Sequence, residues 1–346
     1  MPTVTRCLLP PLNIDSLTLK TRAIFGFLLP TSSVSGVTPA ARPKVPYEGQ
    51  CSSMRLTVAL GIAVCAEGQG DAYAPSLLSA EQIVSWKAVA DTVHEAGSLI
   101  AAQLCHVGRV SHRSLQPNNL PPLAPSAITA NAEVFIPDNQ GVNNKAPAAG
   151  PREMMQTDIS ITQQAFVDAA VNAIAAGFDL VEIHAANGYL IEQFLATGTN
   201  LRDDNYGSSL ENRARFLLEI VDMLIEALGA ERIGVRLSPW STLNDIEDSE
   251  PHAMALYLAE ELNLRNIAYL YVVECPPGSG PDDPESFHRW LRSAFKKPLI
   301  VCGNQDIESH KPISYQHLAD TLAMTTLSIE PPGTISWGSP HPEAAS

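Results

Sequence analysis

Basic residues are in the minority in this chain of 346 residues: 22 Lys+Arg stand against 37 Asp+Glu, a formal net charge of -15. No Lys/Arg cluster interleaves with aromatics, so neither nucleic acid nor an anionic membrane surface is expected as a partner. Long apolar runs are absent too, and nothing approaches the roughly 20 residues of a membrane-spanning helix. Met1-Pro2-Thr3-Val4-Thr5-Arg6 leads straight into Leu8-Leu9-Pro10-Pro11 without the charged, apolar and small-residue blocks of a secretory signal, and a soluble cytoplasmic protein is the expectation. Cysteine is sparse. Cys7, Cys51, Cys65, Cys105, Cys275 and Cys302 show neither C-x-x-C spacing nor a His partner pattern, which argues against a metal site and against a disulfide framework. They are expected as reduced, half-buried small hydrophobes.

What is present is apolar content, 45% of residues, enough for one large core, and a single domain over residues 1–346 is expected. Short apolar runs alternate with longer helical patterns: Ala23–Leu28, Leu56–Leu60, Leu99–Leu104, Leu180–His184, Ile233–Leu237, Ala268–Val273, Leu299–Cys302 and Thr321–Leu327. Eight such runs predict a (β/α)8 TIM barrel of the α/β class. Between them, Phe166, Ala169, Ala170, Ala173 and Ile174 recur at helical spacing before Gly177, and Phe216, Ile220, Met223, Leu224 and Ala227 before Gly229. A further helix is predicted over roughly Ser79 to Ala96, ending at Gly97. Leu115 to Met155, rich in Pro, Asn and Ala, is too long for an ordinary connection, which predicts a lid-like excursion after strand three over the C-terminal mouth. The Pro/Ser/Gly-rich end, 331–346, reads as a frayed tail.

The chemistry gathers in His184-Ala185-Ala186-Asn187-Gly188-Tyr189-Leu190-Ile191, at the end of the fourth run. Residues at strand C-termini face the active site of such a barrel. His184 and Asn187 can donate hydrogen bonds to one substrate oxygen, where they matter most if that oxygen becomes enolate-like. Tyr189 can supply a proton to the neighbouring carbon. The plainer alternative is a His and an Asn satisfying backbone groups at a strand end, with Tyr189 packed as an amphipathic ring.

This stretch continues through Gln193, Phe194, Asn200, Arg202, Asp203, Tyr206-Gly207-Ser208 and Glu211-Asn212-Arg213-Ala214-Arg215-Phe216. Gly68-Gln69-Gly70, Trp86-Lys87, Gln103-Leu104, His106-Val107-Gly108-Arg109 and Gly234-Val235-Arg236-Leu237-Ser238-Pro239 extend the pattern. Together they resemble the old yellow enzyme family of flavin-dependent ene-reductases, from roughly Leu8 to Leu327. The resemblance implies an α,β-unsaturated carbonyl substrate whose oxygen is clamped by His184 and Asn187 and whose α carbon is protonated by Tyr189. It also implies FMN near Gln103 and Arg236, with Gly303 and Asn304 at the phosphate, and reduction by NAD(P)H. Leu29, Cys105 and Trp240 are expected to line the substrate pocket.

Departures from the family pattern concentrate on the cofactor. Phe27-Leu28-Leu29 replaces the usual Pro-Leu-Thr, Ala59-Leu60-Gly61 the usual Thr-Glu-Gly, and Cys105 a usual Trp, which enlarges the substrate side. Thr325-Thr326 stands where Gly-Arg is usual at the phosphate. One charge-assisted hydrogen bond is worth roughly 1.5–3 kcal/mol, or about one to two decades of affinity, so several losses together would weaken FMN severely. Whether FMN is bound therefore stays open at this level, and NAD(P)H is needed only if it is. Three readings follow. The first is a flavin-independent isomerase or cyclase acting on a bulky unsaturated carbonyl compound. The second is an FMN-dependent ene-reductase, and the third a non-catalytic binding homologue.

Overall fold

The computed structural model describes residues 12–14, 17–19, 23–28, 56–72, 74–137, 143–274, 280–302, 321–324, 328–329 and 335–336. Eight parallel strands close into a barrel: β1 (Ala23–Leu28), β2 (Leu56–Ala63), β3 (Leu99–Cys105), β4 (Leu180–Ala185), β5 (Ile233–Leu237), β6 (Tyr269–Val273), β7 (Leu299–Cys302) and β8 (Thr321–Met324). Closure is made where Leu322 pairs with Ala23 and Met324 with Phe25. Strands of a closed parallel barrel are covered on both faces, so they read as unbroken apolar runs rather than as alternation. Every residue of β4 and of β5 is buried. The predicted runs are these strands, with β2 extended to Ala63 through a register shift between Ala59 and Ile62. Gly61, at φ +70°, sits inside that shift.

Helices fill the connections. In α1 (Ala80–Glu95), Ser79 and Gln82 form a reciprocal capping box that satisfies two of the helix's free N–H groups. The next helix, α2 (Gln156–Ala175), turns Ile159, Phe166, Ala169, Ala170 and Ala173 to the barrel. Gly177, at φ +92°, then reverses the chain into β4, a conformation L side chains avoid. A short buried helix, α3 (Leu190–Leu195), follows β4, and α4 (Leu210–Leu228), α5 (Pro251–Leu264) and α6 (Pro284–Ala294) complete the described set. Among the described residues, no helix is long and apolar enough to cross a membrane.

The excursion between β3 and α2 contains an antiparallel hairpin, Glu133–Pro137 with Asn143–Pro147, and a short parallel pairing of Leu123–Ala124 with Arg152–Glu153. Ala130, Val134 and Ala148 from it pack with Cys105, Val107 and Val110 and against the half-buried Tyr189. It therefore lies over the C-terminal ends of β3 and β4, the mouth of the barrel. The predicted tail, 331–346, falls outside the described residues except for Ile335–Ser336, which pair with Ser328–Ile329.

Inside the barrel, Gly234 of β5 faces the ring of Tyr269 on β6, whose hydroxyl donates to Glu182 Oε2 at 2.9 Å. A Cβ at position 234 would run into that ring. Overpacking of this kind costs about 1–3 kcal/mol. Gly234→Ala is expected to lower the urea midpoint of unfolding accordingly, and an unchanged midpoint would show that the ring yields freely.

Candidate active site

The register of the barrel sets the site in two levels. At the lower one, Glu182 of β4 lies opposite Gln103 of β3 and Gly234 of β5. Gln103 Nε2 donates to Glu182 Oε1 at 2.6 Å, and the Gly61 N–H donates to Gln103 Oε1 at 3.2 Å. Burial raises the Glu182 carboxyl above its ordinary range, opposed first by Arg236 and then by the hydrogen bonds from Gln103 and Tyr269. Gln103 thus closes a buried network.

One step toward the mouth, His184 pairs with Arg236 on β5, and Arg236 with Tyr271 on β6. Burial, reinforced by Arg236, pushes the His184 imidazole well below its usual range and keeps it neutral. Its Nδ1 has no hydrogen-bond partner in the protein. The Arg236 guanidinium stacks over the Tyr271 ring at 4.8 Å, and its buried Nε is likewise without a partner. Among the described residues Arg236 has no ion pair, with Glu182 or any other acid. A buried donor left unpaired is costly, and such a cation is suited to an acceptor that arrives from outside the chain.

Past β4 the backbone takes two consecutive left-handed residues, Asn187 at φ +59° and Gly188 at φ +76°. Asparagine tolerates that region. At 188 a side chain would also run into the Leu243 carbonyl, so glycine is required twice over. The turn leaves the Asn187 carboxamide without a partner among the described residues and returns Tyr189 edge-on to His184, ring centroids 5.1 Å apart. Burial first, then Cys105 and Asp71, raise the Tyr189 phenol above its ordinary range against the opposing pull of Arg236, so the phenol is neutral. His184, Asn187 and Tyr189 are therefore together at one strand end.

Cys105, at the end of β3, is buried beside Tyr189, and burial holds it as a thiol. Trp240, expected in the substrate pocket, sits at φ +62° with its indole edge-on to Phe287 of α6 at 4.6 Å and His252 at 6.1 Å. There it lines a cavity of about 230 Å³ between β5 and α5. Leu29, Gly303, Asn304 and Thr325-Thr326 lie outside the described residues.

Other members of the long pattern hold the scaffold. Asn200 Nδ2 donates to the Phe194 and Tyr206 carbonyls, Arg202 to Asp204 and the Met154 carbonyl, and Arg213 to the Leu195 and Ser208 carbonyls. Residues given no role from sequence also reach the site. Glu192 of α3 and Ser238 after β5 are buried beneath the Asn187 turn, and burial lifts the Glu192 carboxyl to about 7 despite hydrogen bonds from Ser238 and Gly188. For Glu192 the signal was an acid inside a largely apolar stretch, Leu190-Ile191-Glu192-Gln193-Phe194-Leu195.

These residues fit the ring end of FMN in one respect and depart in another. The unpaired Arg236 suits an electron-rich ring edge, whereas Ala59, fully buried in β2, offers it no hydroxyl.

Comparison with known proteins bears on the same question. A profile of the NADH:flavin oxidoreductase / NADH oxidase family matches residues 7–332. The chain is 34% identical over 328 residues to 12-oxophytodienoate reductase 1 of Oryza sativa subsp. japonica, covering 94% of this chain and 84% of that one. It is 35% identical over 268 residues to a "probable flavin mononucleotide-dependent alkene reductase" of Leishmania infantum, covering 77% and 72%. Among solved structures, morphinone reductase in complex with tetrahydroNAD superposes with a TM-score of 0.84 at 41% identity, covering 92% of this chain and 86% of that one. The old yellow enzyme homologue from Zymomonas mobilis gives 0.83 at 31% identity, covering 92% and 88%. None of these likenesses supports the flavin-independent isomerase or cyclase expected from the sequence departures, nor a protein without flavin. A closed (β/α)8 barrel that carries the His184–Tyr189 turn, matched by this profile over nearly its whole length, belongs to the NADH:flavin oxidoreductase, or old yellow enzyme, family.

Proposed function

We propose that this protein is an FMN-dependent ene-reductase that uses NAD(P)H to reduce the activated C=C bond of a bulky α,β-unsaturated carbonyl compound. The observation that carries the reading is the convergence of unengaged groups. His184 Nδ1, the Asn187 carboxamide and the Arg236 Nε, all at one end of β4 and β5, have no partner among the described residues. Buried polar groups are ordinarily satisfied, so His184 Nδ1 and Arg236 Nε left open beside the half-buried Asn187 mark a place for a ligand.

In this reading the substrate carbonyl oxygen accepts from His184 and Asn187. Both donors are neutral, and both gain strength as negative charge builds on that oxygen. FMN, when bound, supplies a hydride for the β carbon, drawn in turn from NAD(P)H. Tyr189 gives its phenolic proton to the α carbon, for which its neutral state is the required one. Arg236, with Gln103 nearby, would meet the electron-accepting side of the flavin ring, and Gly303 and Asn304 its phosphate. Cys105 leaves room for bulk, and the excursion over residues 115–155 shields the mouth from water as a lid. The relatives' names support the redox chemistry. A non-catalytic binder has no use for a phenol set beside a carbonyl clamp.

Three expectations test this. Protein incubated with FMN and freed of excess is expected to stay yellow, and Arg236→Met to weaken FMN about tenfold or more through loss of a charge-assisted partner. A colourless protein, or equal affinity in the variant, would defeat the flavin assignment. Tyr189→Phe is expected to lower the rate of enone reduction by roughly 10²–10⁴ while flavin reduction by NAD(P)H proceeds as before. Equal rates in both steps would remove Tyr189 from the role of acid.

A further inference from the structure

The Asn187 turn is not held by its own residues. Its left-handed backbone at 187 is disfavoured for an L side chain, and two successive N–H groups point out of it with no partner inside the turn. Both lead to one buried carboxyl group, one directly and one through a serine. The Gly188 N–H donates directly to Glu192 Oε2 at 2.5 Å. The Asn187 N–H donates to Ser238 Oγ at 2.7 Å, and the Ser238 hydroxyl in turn donates to Glu192 Oε1, also at 2.7 Å. The opposite side of the same peptide is held as well. Asn244 Nδ2 donates to the Asn187 carbonyl at 2.8 Å, and the guanidinium of the buried Arg109 donates to the carbonyls of Asn244 and Asp245.

With its peptide fastened on both sides, Asn187 has one free polar group, the carboxamide. The acid is otherwise hard to account for. Glu192 lies in α3, a helix of six residues all buried, where an acid must find partners or be neutralised. Its partners are this turn and Ser238.

We propose that Glu192, acting through Ser238, is a positioning residue that fixes the 186–188 turn so that the Asn187 carboxamide meets the substrate carbonyl beside His184. The proposal rests on the carbonyl clamp of the proposed function and adds the device that aims it. Neither residue touches the substrate. Loss of either frees an N–H of the turn and lets the carboxamide wander, and the cost falls on binding of a carbonyl rather than on FMN.

The test is calorimetric titration of the FMN-loaded, oxidised protein with 2-cyclohexenone in the absence of NAD(P)H. Wild type, Glu192→Gln, Ser238→Ala, Asn187→Ala and the two double variants with Asn187→Ala are compared. Glu192→Gln and Ser238→Ala are each expected to weaken the enone about tenfold, with FMN affinity within about twofold of wild type. In the Asn187→Ala background neither is expected to weaken it further, since each acts through that side chain. Losses that add to that of Asn187→Ala would overturn the proposal, as would wild-type affinity in folded variants. Should Glu192→Gln fail to fold, Ser238→Ala, which removes one hydroxyl, decides the matter alone. Wild-type protein that loads FMN but does not bind the enone would sink the clamp itself, an outcome distinct from unaltered variants.

Discussion

Two consecutive left-handed residues after β4 are the constraint on which the mouth of this barrel depends. A strand that ran on straight would carry Asn187 and Tyr189 away along the barrel axis. The turn instead folds the chain back at once, so that the ring of Tyr189 meets that of His184 edge-on and the carboxamide between them is left free. Such a turn is costly by itself, and it persists because the surroundings overdetermine it. Glu192 and Ser238 take its N–H groups, Asn244 its carbonyl, and the space at Gly188 admits no side chain.

Below the turn, a second economy of partners governs electrostatics. Glu182 could neutralise Arg236, yet its two oxygens are occupied by Gln103 and Tyr269. The guanidinium is therefore left stacked on Tyr271 with its Nε open. The same positive charge acts on the groups around it: with burial, it keeps His184 neutral, and it tempers the upward drift of the Tyr189 phenol. Burial thus sets the neutral state of both groups, with Arg236 reinforcing it at His184 and opposing it at Tyr189. Loss of polar groups at Ala59 and of bulk at Cys105 changes what surrounds this arrangement without disturbing it.

Much of the fold was legible in the chain because burial on both faces of a parallel strand leaves a direct imprint, a short apolar run, and because helices of one barrel repeat the same spacing. Strand ends were less so. The extension of β2 to Ala63 depends on a register shift that composition does not announce. That His184, Asn187 and Tyr189 lie together was readable since three chemically apt residues fall within six positions. The positive φ of Trp240, and with it the aromatic cluster its indole joins with Phe287 and His252, has no signature in a residue of its type. Inference of a lost flavin went astray for a related reason: individual missing anchors were counted, while the unpaired state of Arg236 can be seen only once its neighbours' partners are known.

The sequence by itself determined the barrel, the order of its strands and the chemical types gathered at the end of β4, since hydrophobic periodicity and local spacing are properties of the chain. Only the tertiary structure decided which of those groups are spent and which are free. Gln103 is engaged and the Arg236 Nε is not; Glu192, given no role from sequence, lies under the Asn187 turn. The reason is physical: a hydrogen bond between β3 and β4, or between α3 and the end of β5, depends on where elements far apart in sequence come to rest, and no local pattern records that.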